Sequence, residues 1–256
     1  EGGGNSVENN IAPVGITFDV FIEGEVIDLC APSGEDWVIE QWYRWFNNQE
    51  TTRYLEHGVF PNSPENQKRY YESLLQSKDR IVLLIKPKDA DYFVGVASLS
   101  FINLSQRQCS FSMVIGKKDD SPNSMYYAME TKCRMTEHAF ENVGVERITS
   151  GQVVDLIKWQ RWQVLFGYQI EGIFRSHFRK GNKVYDVMRS SCLIEDYQRI
   201  KEIRNGLFWV GKAKMFELIK MLPKDSMIDK LQKWLQKEGE DLWKTIKFDI
   251  PEEEVE

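Results

Sequence analysis

Gly167-Tyr168-Gln169-Ile170-Glu171-Gly172-Ile173-Phe174-Arg175 is the stretch on which the reading of the fold turns. Its pattern predicts a strand from Tyr168 to His177, entered from a helix over 155–166. Lys180-Gly181-Asn182-Lys183 is a hairpin turn, because Gly and Asn tolerate positive φ, so a strand from Val184 to Leu193 returns beside the first. Upstream, a strand from Cys109 to Ile115 leads into a long helix over about 123–142. That helix carries Met125, Met129, Cys133, Thr136 and Phe140 at steps of three and four, and Gly144 ends it. A strand from Val145 to Val153 follows. A strand, a helix and a further strand in this order make a crossover that places the two strands parallel.

Further out, Ile16–Ile22 and Val26–Cys30 alternate as strands around a Glu23-Gly24 turn. A helix bearing Trp37, Ile39, Trp42, Tyr43 and Trp45-Phe46 comes next. Ser63 is an N-cap for a second helix running to about Ser77, with Tyr70, Leu74 and Leu75 expected to face inward. Arg80–Ile85 and Tyr92–Phe101 complete the strands. The fold class is therefore α/β (α+β), with a mixed, partly parallel central sheet flanked by helices. Four segments are expected: a flexible arm over 1–12, a folded domain over 13–196, a helical C-terminal extension over 197–250 and an acidic tail over 251–256.

The composition sets bounds. Of 256 residues 42% are apolar, including eight Trp and fourteen Phe, enough for a sizeable core. A net charge of -6 argues against nucleic acid and anionic membranes as partners. No apolar run is long enough to span a bilayer. Cys30, Cys109, Cys133 and Cys192 lie in apolar patterns without CxxC spacing and read as buried free thiols of a reducing compartment. His57, His138 and His177 lack metal-ligand spacing. The opening Glu1-Gly2-Gly3-Gly4-Asn5-Ser6 has no signal-peptide character, and without an initiator Met it reads as a trimmed or internal start.

The 167–175 stretch resembles the "GF-x-x-EG-x-x-R" signature of the GNAT (Gcn5-related) N-acetyltransferase superfamily, in the branch that acetylates ribosomal-protein N-termini and nucleotide-linked amino sugars. Tyr185-Asp186 resembles that branch's "Y-x-D", and Trp45-Phe46-Asn47-Asn48-Gln49-Glu50-Thr51-Thr52-Arg53-Tyr54-Leu55 its "W-x-N-D-x-E-V-x-R-Y-L". Phe60-Pro61, Gln67–Tyr71, Glu130, Ala139-Phe140 and Arg147-Ile148 continue the likeness in order, over about residues 24–196. The resemblance implies acetyl-CoA in a split between Cys109–Ile115 and Val145–Val153. Met113, Val114 and Ile115 would then hold pantetheine, and Ser121, Ser124, Met125, Tyr126 and Tyr127 the pyrophosphate at a helix start.

The chain departs from that pattern where the family loop reads "G-x-G-Y/I-A". Here Ser124-Met125-Tyr126-Tyr127-Ala128 stands, behind Asp119, Asp120 and Pro122. The family's usual Asn, Ser and Tyr beyond the second cofactor strand fall on Leu156, Trp159 and Gln163. Catalytic candidates are Gln152, to orient a water or amine, Gln163, as a donor to sulfur, and Glu130, as a base; each also reads as an ordinary strand-end, helix-surface or capping residue. Trp42 and Trp45, on the helix that lines the family's acceptor site, are substrate-binding candidates or core. Arg175, in a basic hairpin with His177, Arg179, Lys180 and Lys183, can meet an anionic acceptor or sit in solvent.

The reading that results is an acetyl-CoA-dependent N-acetyltransferase acting on a primary amine of a nucleotide-linked amino sugar or a protein N-terminus, in the cytoplasm. The alternative is a catalytically silent GNAT-like binding or assembly module, for example in a viral particle. In either case the C-terminal helices can dock a protein partner or a second copy.

Overall fold

The computed structural model describes residues 12–250. The expected arm over 1–12 (except Ala12) and the tail over 251–256 lie outside them. Eight strands form one sheet: β1 (Val20–Glu23), β2 (Ile27–Cys30), β3 (Ile81–Pro87), β4 (Gly95–Asn103), β5 (Gln108–Ile115), β6 (Arg147–Val153), β7 (Gln169–Lys180) and β8 (Lys183–Leu193). Their spatial order is β1-β2-β3-β4-β5-β6-β8-β7. Neighbours are antiparallel except β5 and β6, as the crossover through α3 (Ser124–His138) requires.

One face of the sheet buries Leu83, Ile85, Ala97, Leu99, Phe111 and Ile148 against α3, whose Met129, Cys133 and Met135 are fully buried. The other face takes α1 (Asp36–Trp45). Its Val38, Ile39, Trp42 and Trp45 form one apolar stripe against Cys30, Val82 and Leu84. α2 (Pro64–Gln76) starts where Ser63 predicts, since Ser63 Oγ accepts from Asn66 N at 3.1 Å. Of its expected inward face Leu74 does pack inward, but Leu75 is 64% and Tyr70 38% exposed, while Tyr71 and the amide of Gln67 turn inward. The helix lies against α1 more than against the sheet, so its buried stripe is narrow.

Gly167, at φ 83°, ends the turn after α4 (Ile157–Gln163) in the left-handed region that Gly favours. A Cβ there would come 3.0 Å from Cys192 Sγ. Glu171 and Arg147, both in the motif stretches, form a two-point pair at 2.5 and 2.8 Å that ties β7 to β6 across β8. Arg147 and a Ser191 hydroxyl hold the Glu171 carboxyl down at about 2. All four cysteines are free and buried.

The first compact unit runs to Leu222, beyond the boundary expected at 196. α5 (Ile194–Ile203) and α6 (Lys212–Lys220) belong to it, because Tyr197, Phe208, Trp209 and Met215 are buried in the main core. The Trp209 indole also donates to Glu25 at 2.8 Å. The second unit holds α7 (Met227–Thr245), where Ser226 Oγ caps Asp229 N at 3.3 Å and Trp243 packs on Phe248 at 4.5 Å. Among the described residues no helix is long and apolar enough to cross a membrane.

Candidate active site

β5 and β6 are paired only at Gln108–Arg147, Cys109–Ile148 and Ser110–Thr149. Ser110 and Thr149 hydroxyls meet at 2.8 Å on the last rung. Beyond it β5 follows β4 to Ile115, and β6 follows β8 to Val153. The strands therefore splay, and the β5 edge that faces β6 runs on past its last rung.

A pocket of about 440 Å³ opens on the α1 face beside this edge. Met113 and Val114 of β5 line it, with Ser98 and Ser112, whose hydroxyls meet at 2.6 Å. Trp42, Phe46, Phe60 and Tyr70 give its aromatic walls, and Asn62, Asn66 and Gln67 its amides. Glu56 and His57 at the rim, with the Tyr70 phenol of the wall, are its titratable groups. The rim loop is fixed from both ends. The Asn47 side-chain amide donates to the Asn62 carbonyl at 3.0 Å and accepts from Asn62 N at 2.6 Å. At the other end Lys180 Nζ donates to the carbonyls of Thr52 at 3.1 Å and Leu55 at 2.7 Å, and to that of His57. Lys180 thus anchors the 52–57 loop rather than meeting an anion. Lys180→Met is expected to speed amide exchange in this loop about tenfold or more, since each charge-assisted bond contributes on the order of 1.5 kcal/mol. Hydrogen exchange over residues 52–57 checks this, with unchanged protection counting against the anchor.

His57 lies on Phe46, ring centroids 4.6 Å apart. Desolvation holds its imidazole below the ordinary range; the nearby Lys180 adds to this and Glu56 opposes it. A neutral imidazole beside a carboxylate is suited to take a proton from an incoming ammonium.

At the other end of the splay, Gly116 leaves β5 against Trp45. A Cβ on Gly116 would fall 2.2 Å from Trp45 Cγ. Trp45 is 5% exposed and packed in the core, so the expectation that it binds substrate is corrected, while Trp42 does line the pocket. Past Gly116 the chain folds on itself. Asp119 accepts from Tyr92 Oη at 3.0 Å, from Tyr127 Oη at 3.0 Å and from Ser121 N at 3.2 Å. Asn123 N donates to Ser121 Oγ, Ser124 N to the Ser121 carbonyl and Tyr126 N to the Asn123 carbonyl. The amides expected to face a pyrophosphate are thus held within their own turn around a carboxylate. Tyr127 is committed to Asp119, and Tyr126 and Tyr127 are 8% and 4% exposed within the main core.

Of the catalytic candidates, Glu130 is an anchor, which corrects the expectation of a base. Fully buried, it accepts from Glu25 N and Val26 N at 2.7 Å and Ile27 N at 3.1 Å, and pairs with Arg134 at 3.1 Å. Its carboxylate is spent on the backbone entering β2. Gln163 is 1% exposed, so it is no helix-surface residue. Its Oε1 accepts from Lys132 Nζ at 2.8 Å. The Nε2 atoms of Gln163 and Gln152 are buried without a partner. Arg175 is exposed in a bulge of β7, where Ser176 N donates to Asp186 at 2.8 Å, and it does not line the pocket.

Of the residues expected at the site, Trp42, Met113 and Val114 line the pocket, as do Glu56, His57, Ser98 and Ser112, which the sequence did not single out for it; nor did it single out Lys132, which bonds Gln163. For Lys132 a signal existed: it lies three residues after Met129 and four before Thr136, on the buried stripe of α3. The rim residues carry no comparable pattern.

The donor set fits the thioester arm of acetyl-CoA: a strand edge splayed away from its neighbour, with buried amide donors left without acceptors nearby. The phosphate end fits only if Asp119 shares or yields the start of α3.

A mixed sheet splayed at its parallel pair, with a pocket beside the splay, defines a GNAT fold. Residues 29–154 match the family model described as an acetyltransferase (GNAT) domain. Solved structures share the fold. A GCN5-related N-acetyltransferase from Brucella melitensis superposes with a TM-score of 0.61 at 16% identity, over 78% of this chain and 94% of that one. Spermidine N-acetyltransferase from Vibrio cholerae, in complex with CoA and spermine, gives 0.59 at 18% identity, over 67% and 98%. The microcin C7 self-immunity acetyltransferase MccE, in complex with acetyl-CoA and AMP, gives 0.55 at 18% identity, over 66% and 93%. No curated protein matches the chain.

Proposed function

We propose that the protein transfers an acetyl group from acetyl-CoA to an amine docked in the 440 Å³ pocket. The observation that carries this reading is the double use of Met113 and Val114. They line the acceptor pocket and also form the splayed edge of β5, so amine and thioester would meet at one place. Met113, Val114 and Ile115 would hold the pantetheine arm, and the Ser121–Tyr127 turn the phosphates. Acetyl-CoA supplies the activated acyl group. The protein's share is to orient the amine, remove its proton and shield the site from water.

Glu56 attracts an ammonium to the rim, His57 accepts its proton, and the aromatic walls enclose its apolar body. Neither Lys nor Arg lines the pocket. This favours a cationic small-molecule amine or a peptide N-terminus over a nucleotide-linked amino sugar, whose phosphates call for basic partners. Among the fold neighbours, spermidine N-acetyltransferase was crystallised with the polyamine spermine. A second reading, a silent module that engages partners through the C-terminal helices, is favoured by one observation: Asp119 sits among the amides of the phosphate turn.

Calorimetry with acetyl-CoA, then a thiol-release screen over amines, peptides and amino sugars, tests the first reading. Micromolar binding with turnover is expected. His57→Gln should lower kcat about 100-fold. The base is active when neutral and its pKa is lowered, so the wild-type rate should fall only below the ordinary imidazole value of about 6.5. No binding at millimolar acetyl-CoA would mean the silent module instead.

A further inference from the structure

Lys132 is fully buried on α3, and none of the ion pairs among the described residues includes it. Its Nζ donates to Gln163 Oε1 at 2.8 Å and Ser150 Oγ at 3.2 Å. It also lies 3.8 Å from the Tyr168 ring centroid, 5.0 Å from that of Phe111 and 5.4 Å from that of Trp159. Burying an ammonium without a counter-ion costs several kcal/mol, and a methionine would fill the same space without that cost. Burial pushes its pKa down to about 7, opposed weakly by the thiols of Cys192 on β8 and Cys133 on α3.

Position gives the arrangement its meaning. The last rung between β5 and β6 is Ser110–Thr149. Phe111 and Ser150, which Nζ touches, are the first residues of each strand past that rung. The ammonium therefore sits at the apex of the splay, on the α3 side. In its protonated form it has hydrogens only to give, so Gln163 offers Oε1 and the amide is held from turning over. Nε2 of Gln163 is thereby left buried with no acceptor, and Nε2 of Gln152, two residues past Ser150 on the same face of β6, is left likewise.

The geometry points to Gln163 as a hydrogen-bond donor to the carbonyl oxygen of the bound thioester, with Lys132 as the positioning residue that holds its amide in that orientation. The inference rests on the acetyltransferase reading. Gln163 makes and breaks no covalent bond. It donates an N–H to oxygen as negative charge gathers there, and the ammonium on its Oε1 polarises that N–H. A phenol in the same place could give its proton to sulfur; this pair stabilises charge on oxygen instead.

The test uses the full chain and acetyl-CoA carrying a ¹³C carbonyl, read by difference infrared spectroscopy. Wild type should shift the bound carbonyl to lower frequency. Gln163→Leu should abolish the shift, and Lys132→Met, which frees the amide to turn, should diminish it. CoA without its acetyl group should bind all three within about twofold, while kcat falls about 100-fold and the acetyl-CoA KM holds. If Gln163→Leu misfolds, Gln163→Glu keeps the bond to Lys132 and removes the donor, and should lose the shift equally. Variants that fold and keep both shift and kcat overturn the inference. An unshifted carbonyl in bound wild type overturns the inference alone; no acetyl-CoA binding overturns the acetyltransferase reading with it.

Discussion

Glu130→Ala is expected to lower the unfolding free energy by about 4 kcal/mol, read from urea denaturation. The carboxylate is fully buried and accepts from the backbone of Glu25, Val26 and Ile27 while facing Arg134. Truncation leaves those amides without acceptors, at about 1–3 kcal/mol each before relaxation, and leaves a void beneath them. The same turn is already crowded, since a Cβ on Gly24 would lie 2.8 Å from Glu130 Oε1, so the backbone has little room to close the gap. At this chain length the loss corresponds to about 10 °C in Tm. Glu130→Gln keeps one acceptor oxygen and should cost roughly half as much. A loss below about 1 kcal/mol for the alanine variant would show that water replaces the carboxylate, and that β2 does not depend on α3 for its entry.

Asp119→Asn should tighten acetyl-CoA about tenfold. Asparagine keeps the shape and its one oxygen can accept from Tyr92 and Tyr127, while the change frees Ser121 N of its acceptor and removes a negative charge beside the place proposed for the pyrophosphate. A factor of ten is about 1.4 kcal/mol, the size of one like-charge repulsion across several ångströms near a protein surface. The gain should shrink in high salt, as screened electrostatics requires. Pantetheine, which lacks phosphate, should bind both proteins equally. Equal acetyl-CoA affinity in calorimetry would make Asp119 a post for the loop and nothing more, and weaker binding would make it part of the site.

Much of the scaffold was legible because it follows from local chemistry. Alternation marked the strands, Gly181-Asn182 the hairpin, Ser63 the start of α2 and Gly144 the end of its helix. The splay was legible through resemblance, and Met113, Val114, Gln152 and Gln163 stand beside it. What escaped depends on pairings between residues distant in the chain. Trp45 reads as an acceptor-site aromatic until Gly116 is found against it. Glu130 reads as a base until the backbone of β2 is found on its oxygens. Tyr70 and Leu75 misled because α2 covers little of the sheet. His57 sits in a loop without periodicity, and its place is set by a lysine from the far hairpin.

That lysine gives the pocket a division of labour. By tying three carbonyls of one loop to the tip of β7, Lys180 makes the rim from Thr52 to His57 a preset mould rather than a lid that forms around its guest. On the acetyltransferase reading, choice of acceptor then falls to the side chains carried by that loop, and the transfer edge stays on β5. Exchange of Glu56 alone would then change the amine preference and leave the loop's three lysine bonds in place.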